Sequence, residues 1–306
     1  TAIDAYPTLR PHRLAVGFYT LADGRLARTH RVELDVDGAV TSVDELVGLA
    51  RPDLVLLNDD DLAYAKIRLD EASLAVAIEN LAGFESPLAR SLVWGSVWDA
   101  TRDAEVPARD FVKLVLGNIA TETESTTLRT VLSQVVLAAS AYTTPERRDE
   151  TLREVADTLW ALARTADAGS DSQFQFVKAF AAIAESSSDL AVVADLLSGA
   201  VSLDGLDVDT DLGWELLIAL VAGGLAGEAE IDARLASDNT ATGQQSAAHA
   251  RAALPTIEGK RAAWASLVEV STAPNTIVRT TALGFLRAAD PELLARMERF
   301  QADLEE

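Results

Sequence analysis

Three histidines, His12, His30 and His249, are the residues through which this chain could hold a hydrolytic metal. A zinc protease needs two of them one helical turn apart with a glutamate between, as in H-E-x-x-H, so that both imidazoles reach one ion and the carboxylate activates its water. None of the three has a glutamate at the next position or a second histidine four residues on. The chain has no cysteine, which removes disulfides and thiolate zinc sites and suits a reducing cytoplasm, the location expected here. Nucleophile and phosphate-cradle motifs of the forms G-x-S-x-G, G-x-x-x-x-G-K-[ST] and G-x-G-x-x-G are also missing, and Gly223, Gly224 and Gly227 read as a helix break.

Two acidic runs invite a cation. Asp59, Asp60 and Asp61 could offer oxygens to a hard ion, but no other carboxylate is fixed nearby by the sequence, and a solvated turn is the preferred reading. Asp207, Asp209 and Asp211 imitate the first half of a calcium loop. That loop needs glycine at its sixth position and glutamate at its twelfth, where Leu212 and Ile218 stand, so helix capping by Asp209 or Asp211 accounts for them better. Trp94 and Trp98 lie one helical turn apart and are expected in the core.

Net charge is −22, from 26 basic and 48 acidic residues. A field of that sign repels phosphate backbones, so nucleic acid is not an expected partner. No apolar run approaches the ~20 residues a membrane span requires, and the first residues show no basic-then-apolar leader, so no membrane partner is expected either. The chain opens on Thr1 without an initiating methionine, as expected of a processed product or a cut piece. One stretch departs from the general acidity. Residues 251–287 carry Arg251, Lys260, Arg261, Arg279 and Arg287 against only Glu258 and Glu269. This is either a charge-mixed surface balancing acidic neighbours or an anion site, such as one for a peptide carboxylate.

The elements that would position these residues fall into two regimes, and Leu54–Asp70 joins them. Before it, Leu14, Val16 and Phe18 share a face, as do Val32, Leu34 and Val36, with turn signals at Asp23-Gly24 and Asp37-Gly38. With 39–46, the apolar run Leu54–Leu57 and a further alternating run through Ala65, Ile67 and Leu69, about five short strands are expected. Asp70 closes the last one as a helix cap. Beyond Asp70 the apolar spacing is helical, as in Phe111, Leu114, Val115 and Ile119, or Leu128, Val131, Leu132, Val135 and Val136. Starts are marked at Ser86-Pro87, Thr144-Pro145 and Asp290-Pro291, and breaks at Gly169-Ser170, Ser186–Asp189, Leu203–Asp211 and Leu254–Gly259. The expected fold is mainly α: a small β-sandwich-like part over 1–70, then a HEAT-like all-α superhelical domain of about a dozen helices over 71–306.

The segments PHRLAVGFY, RPDLVLLNDDDLAYAKIRLD, LVWGSVWDATRDAEVPARDFVKLVLGNIA and KRAAWASLVEVSTAPNTIVRTTALGFL together resemble the C-terminal half of actinobacterial aminopeptidase N-type zinc metallopeptidases. The resemblance covers nearly the whole chain. Within it Tyr64, Ile67 and Asp70 hold the pattern of a Tyr-Tyr-Arg-Val-x-Tyr-Asp type of strand, Lys66 replaces its arginine, and Ala65 and Leu69 depart from its aromatics. The family's zinc ligands and its Gly-x-Met-Glu-Asn motif have no counterpart, since the lone methionine, Met297, is followed by Glu298 and Arg299. No catalytic or metal residue is therefore carried over.

What the resemblance implies is a non-catalytic region of a zinc-dependent aminopeptidase. It would wall the substrate chamber and limit peptide access, with no cofactor of its own and zinc held in the enzyme's separate catalytic domain. The implied partners are that catalytic domain in the same polypeptide and peptide substrates. Basic residues of the helical domain would receive the far end of the peptide, with Arg279 the first candidate and Lys260 and Arg261 beside it. By itself the chain should be inactive as an enzyme. A free-standing helical-repeat scaffold for protein–protein interaction is the alternative.

Overall fold

The order of elements changes once along the chain, from strands to helices, as the change in apolar spacing requires. The computed structural model describes residues 8–269, 273–287 and 293–294. Among them, strands β1 (His12–Ala22), β2 (Arg25–Val36) and β3 (Leu54–Leu57) form one antiparallel sheet in the order β2-β1-β3. Asp23 and Gly24 both take positive φ, 50° and 75°, the conformation of a two-residue turn matched to the strands' twist. The hairpin pairs from Ala22↔Arg25 to His12↔Val36, with an irregularity between Phe18 and Tyr19.

Five strands were expected and three are present among the described residues. Residues 39–46 form no strand and instead carry a single 3-10 turn at Asp44–Leu46. The run through Ala65, Ile67 and Leu69 is not a strand either. After β3 the chain passes through Asn58, Asp60 and Asp61, all left-handed with φ of 55°, 67° and 54°. The Asn58 side chain then closes the turn, accepting from Ala63 N at 2.9 Å and donating to Ala63 O at 2.8 Å. The segment that leaves this turn is held by side chains rather than by a ladder. Ser96 Oγ donates to Ile67 O at 3.1 Å, Lys66 and Arg68 pair with Asp103, and Arg68 also pairs with Glu105. Tyr64 is fully exposed.

Asp59 is the buried anchor of that turn, accepting from Tyr19 Oη at 2.8 Å and from Arg28 at 2.9 Å. Gly17 on β1 leaves room for it, because a Cβ at that position would stand 2.2 Å from Asp59 Oδ2. Gly17→Ala should therefore push Asp59 off both partners and lower stability by about 1–3 kcal/mol, read as a lower urea midpoint with an unchanged slope.

The helices begin at α1 (Glu71–Asn80), where Asp70 accepts from Ser73 N, and Ser73 Oγ in turn accepts from Val55 N of β3. There follow α2 (Pro87–Arg102), α3 (Ala108–Asn118), α4 (Ser125–Leu137), a π-helical turn at Ala138–Tyr142, and α5 (Pro145–Thr165). Then come α6 (Asp171–Ile183), α7 (Ser187–Ser198), α8 (Thr210–Ala222), α9 (Glu228–Ser237), α10 (Ala241–Ala253), α11 (Ile257–Val268) and α12 (Asn275–Leu286). Twelve α-helices are thus described. Ser86 and Asp209 cap as expected, and Ser170, Ser186 and Thr256, which lie in the expected breaks, are caps too; each accepts from the backbone N–H three residues on. The expected start at Asp290-Pro291 lies outside the described residues.

Contacts divide the chain into two units, Thr1–Val155 and Ala156–Glu306, with the division inside α5. In the first, the sheet packs on α1 and on the turn after it through Tyr19, Leu26 and Phe84, while Trp94, Trp98, Phe111 and Leu114 form the core of the helices. In the second, Trp214, Leu217, Ile218 and Val221 of α8 pack against Ile231 and the alanines Ala247, Ala250 and Ala253 of α10.

Candidate functional site

The basic stretch 251–287 occupies α10, α11 and α12, and helix phase decides which of its charges reach solvent. On α11, Lys260 falls in register with Ala263, Trp264 and Leu267, at i, i+3, i+4 and i+7, which is the stripe turned inward. Trp264 packs on Phe285 of α12 with ring centroids 5.2 Å apart. Lys260 has no exposed surface at all. Its Nζ donates to four backbone carbonyls: Ala252 at 2.7 Å, Gly284 at 3.0 Å, Phe285 at 3.1 Å and Arg287 at 3.0 Å. These are carbonyls at the C-terminal ends of α10 and α12, which lack helical partners and carry the negative end of the helix dipole. Burial first, and then the neighbouring Arg287 cation, pull the lysine's pKa down to about 8.

Lys260 thus leaves the expected carboxylate-binding patch. A side chain with no surface and every donor engaged cannot meet a peptide terminus. Two other basic residues of the stretch are also spoken for. Arg251 pairs with Glu228 at 3.0 Å and Asp232 at 2.5 Å. Arg287 donates from Nη2 to Ala181 O at 2.8 Å, and burial lowers its pKa, with Glu215 and Glu185 opposing. His249, the expected lone histidine of α10, is pulled down to about 4 by burial and by the cations of Arg287 and Lys260, and so stands neutral. Arg261 and Arg279 remain exposed, and among the described residues neither has a carboxylate partner or a polar partner in common with the other.

Elsewhere the acidic runs are accounted for without a cation. Asp59 and Asp60 are taken by Arg28, and Asp60 also by Arg31 at 2.6 Å, while Asp61 accepts from Asn58. Asp209 caps α8 by accepting from Leu212 N at 2.8 Å. Among the described residues no group of three or more His, Cys, Asp or Glu could hold a metal ion.

Two features were not legible in the sequence: one joins side chains 32 residues apart, and the other brings Arg234 onto the stretch 196–208. The first is the buried ion pair of Arg90 with Glu122, which Trp94 joins. The second is a cavity of about 350 Å³ in the second unit, walled by Leu196, Leu203, Leu206 and Val208, with Asp207 and Arg234 as its charges. Arg234 lies over the Trp214 ring at 5.5 Å and donates to Thr210 O at 2.9 Å.

A short antiparallel sheet continued by a long succession of helices, with polar clusters that brace the backbone, defines a mainly helical module. The chain belongs to the family of ERAP1-like C-terminal domains, whose model matches residues 54–306. It is similar to Aminopeptidase N of Streptomyces lividans, at 47% identity over 290 residues, which covers 94% of this chain and 34% of that protein. The chain therefore spans about a third of the length of the curated relative it matches.

Proposed function

We propose that this chain is the non-catalytic C-terminal region of a zinc-dependent aminopeptidase, an enzyme that removes N-terminal residues from peptides. Its part is to wall the substrate chamber and to limit which peptides enter. The observation that carries this reading is the 47% identity to Aminopeptidase N together with the family match over residues 54–306. A β-sandwich part over 1–70 and a HEAT-like superhelix over 71–306 are the domain assignment that goes with it. Zinc and the groups that act on the scissile bond belong to another domain, and a cytoplasmic location fits the absence of cysteine.

The sheet supports a partner in the same polypeptide. One face buries Ala15, Tyr19, Leu54 and Leu56. The opposite face presents Leu14, Phe18, Val32, Leu34 and Val36 half-buried and Leu57 exposed around a buried Val16. A face of that composition, on a chain a third as long as its relative, is where the rest of the polypeptide would pack. This favours the aminopeptidase reading over a free-standing interaction scaffold. In the reading proposed, Arg279 and Arg261 supply the charge that receives a peptide carboxylate, since a wall of negative net charge would otherwise repel it.

The test is division of labour. The isolated chain, purified and measured for metal content and for release of N-terminal residues, should hold no stoichiometric zinc and show no peptidase activity. The longer polypeptide that carries it should show both. One tightly held zinc per isolated chain, with peptidase activity, would overturn the proposal.

A further inference from the structure

The carbonyl group around Lys260 has more acceptors than the lysine has protons. An ammonium carries three N–H donors, yet four backbone oxygens stand 2.7–3.1 Å from Nζ. One oxygen must share a proton, a mismatch that a spherical cation would not suffer. All four oxygens are backbone, contributed by the ends of two helices, and among the described residues no carboxylate bonds to Nζ. The Phe285 ring lies 5.9 Å from Nζ and adds its π-face. Helix C-termini and backbone carbonyls that replace a hydration shell are the means by which proteins hold desolvated monovalent cations. Lys260 is wholly buried, so its ammonium is desolvated within this cage.

We infer that the junction of α10 and α12 is a monovalent-cation site which this chain fills covalently with Lys260, and that the junction requires a cation there rather than a lysine as such. Shortening the side chain opens the cage to a free ion of matching size. Potassium, with no limit on the number of oxygens it accepts, and ethylammonium, which restores the lost end of the side chain, are the expected occupants. Tetramethylammonium has no N–H and is too bulky to enter.

Lys260→Ala and Lys260→Met would be compared with the unaltered chain by thermal unfolding in potassium, ethylammonium and tetramethylammonium chloride at one ionic strength. In Lys260→Met the side chain, one atom shorter than lysine's, keeps the space of the methylenes filled and leaves no room for a free ion to reach the carbonyls. The midpoint of Lys260→Ala should rise by about 3 °C or more in potassium or ethylammonium relative to tetramethylammonium, once the ion is tenfold above its dissociation constant. The unaltered chain and Lys260→Met should show no such difference. If Lys260→Ala does not fold in tetramethylammonium, recovery of folded protein on adding potassium or ethylammonium supports the site equally. A Lys260→Ala protein that responds alike to all three cations, or that none of them restores, overturns the inference.

Discussion

Glu122→Ala should cost about 3–5 kcal/mol, because it strands a buried cation. Glu122 is 3% exposed and accepts five hydrogen bonds: from Arg90 Nε and Nη2 at 3.1 and 3.2 Å, from Trp94 Nε1 at 3.1 Å, and from the backbone of Thr123 and Glu124 at 3.0 and 3.2 Å. Without the carboxylate, Arg90 keeps only the Phe84 carbonyl, at 2.9 Å, while itself 8% exposed. Burial acts to raise the glutamate's pKa, but the bonds from Arg90, the backbone and Trp94 outweigh it, and the net shift is downward. A carboxyl whose folded pKa lies below its unfolded value of 4.5 contributes stability that is complete above that value and lost as pH falls through the lowered one. Urea unfolding at pH 7 and at pH 4 reads both effects. The variant should lose most at pH 7, and the gap to the unaltered chain should narrow on acidification.

Lys260→Met should cost about 3 kcal/mol, the second large effect. The substitution keeps all but the last atom of the side chain's length and its apolar character, so the stripe with Ala263, Trp264 and Leu267 stays filled. What it removes is the donor to four carbonyls, and a buried polar group left without a partner costs about 1–3 kcal/mol. The loss is partial for Gly284 O, which also accepts from Arg287 N at 3.1 Å. It is partial too because the penalty for burying the charge disappears with it. A fall in urea midpoint with an unchanged slope, together with faster amide exchange at the end of α12, would show that the ammonium ties the helix ends. A variant as stable as the unaltered chain would show that it does not.

Local rules made much of the fold legible. Capping pairs are short-range chemistry, and Asp70, Ser86 and Asp209 cap where their sequence context said, while the breaks at 169–170, 186–189 and 254–259 hold the caps Ser170, Ser186 and Thr256. Asp23-Gly24 closes a tight hairpin for the same reason. The run through Ala65, Ile67 and Leu69 misled because alternation describes an extended chain, not one that finds a ladder. Here three left-handed residues between 58 and 61 precede it, and Ser96 takes the Ile67 carbonyl. At the candidate site, counting charges in 251–287 treated five basic residues as equivalent. Helix phase separates them, and the spacing of Lys260 to Ala263, Trp264 and Leu267 was a readable sign that it turns inward. The Arg90–Glu122 pair gave no sign, since its partners are 32 residues apart and meet only through packing.

The central claim is that this chain shapes substrate choice and leaves the chemistry to another domain. Its most direct test is steady-state kinetics on the longer aminopeptidase with Arg279→Ala, alone and combined with Arg261→Ala, using a long peptide and a single-residue chromogenic substrate side by side. A charge-assisted hydrogen bond to a peptide carboxylate is worth about 1.5–3 kcal/mol, so the Michaelis constant for the long peptide should rise roughly tenfold or more. The chromogenic substrate, too short to reach either arginine, should be turned over as before. Equal loss on both substrates, or no loss on either, would contradict the claim.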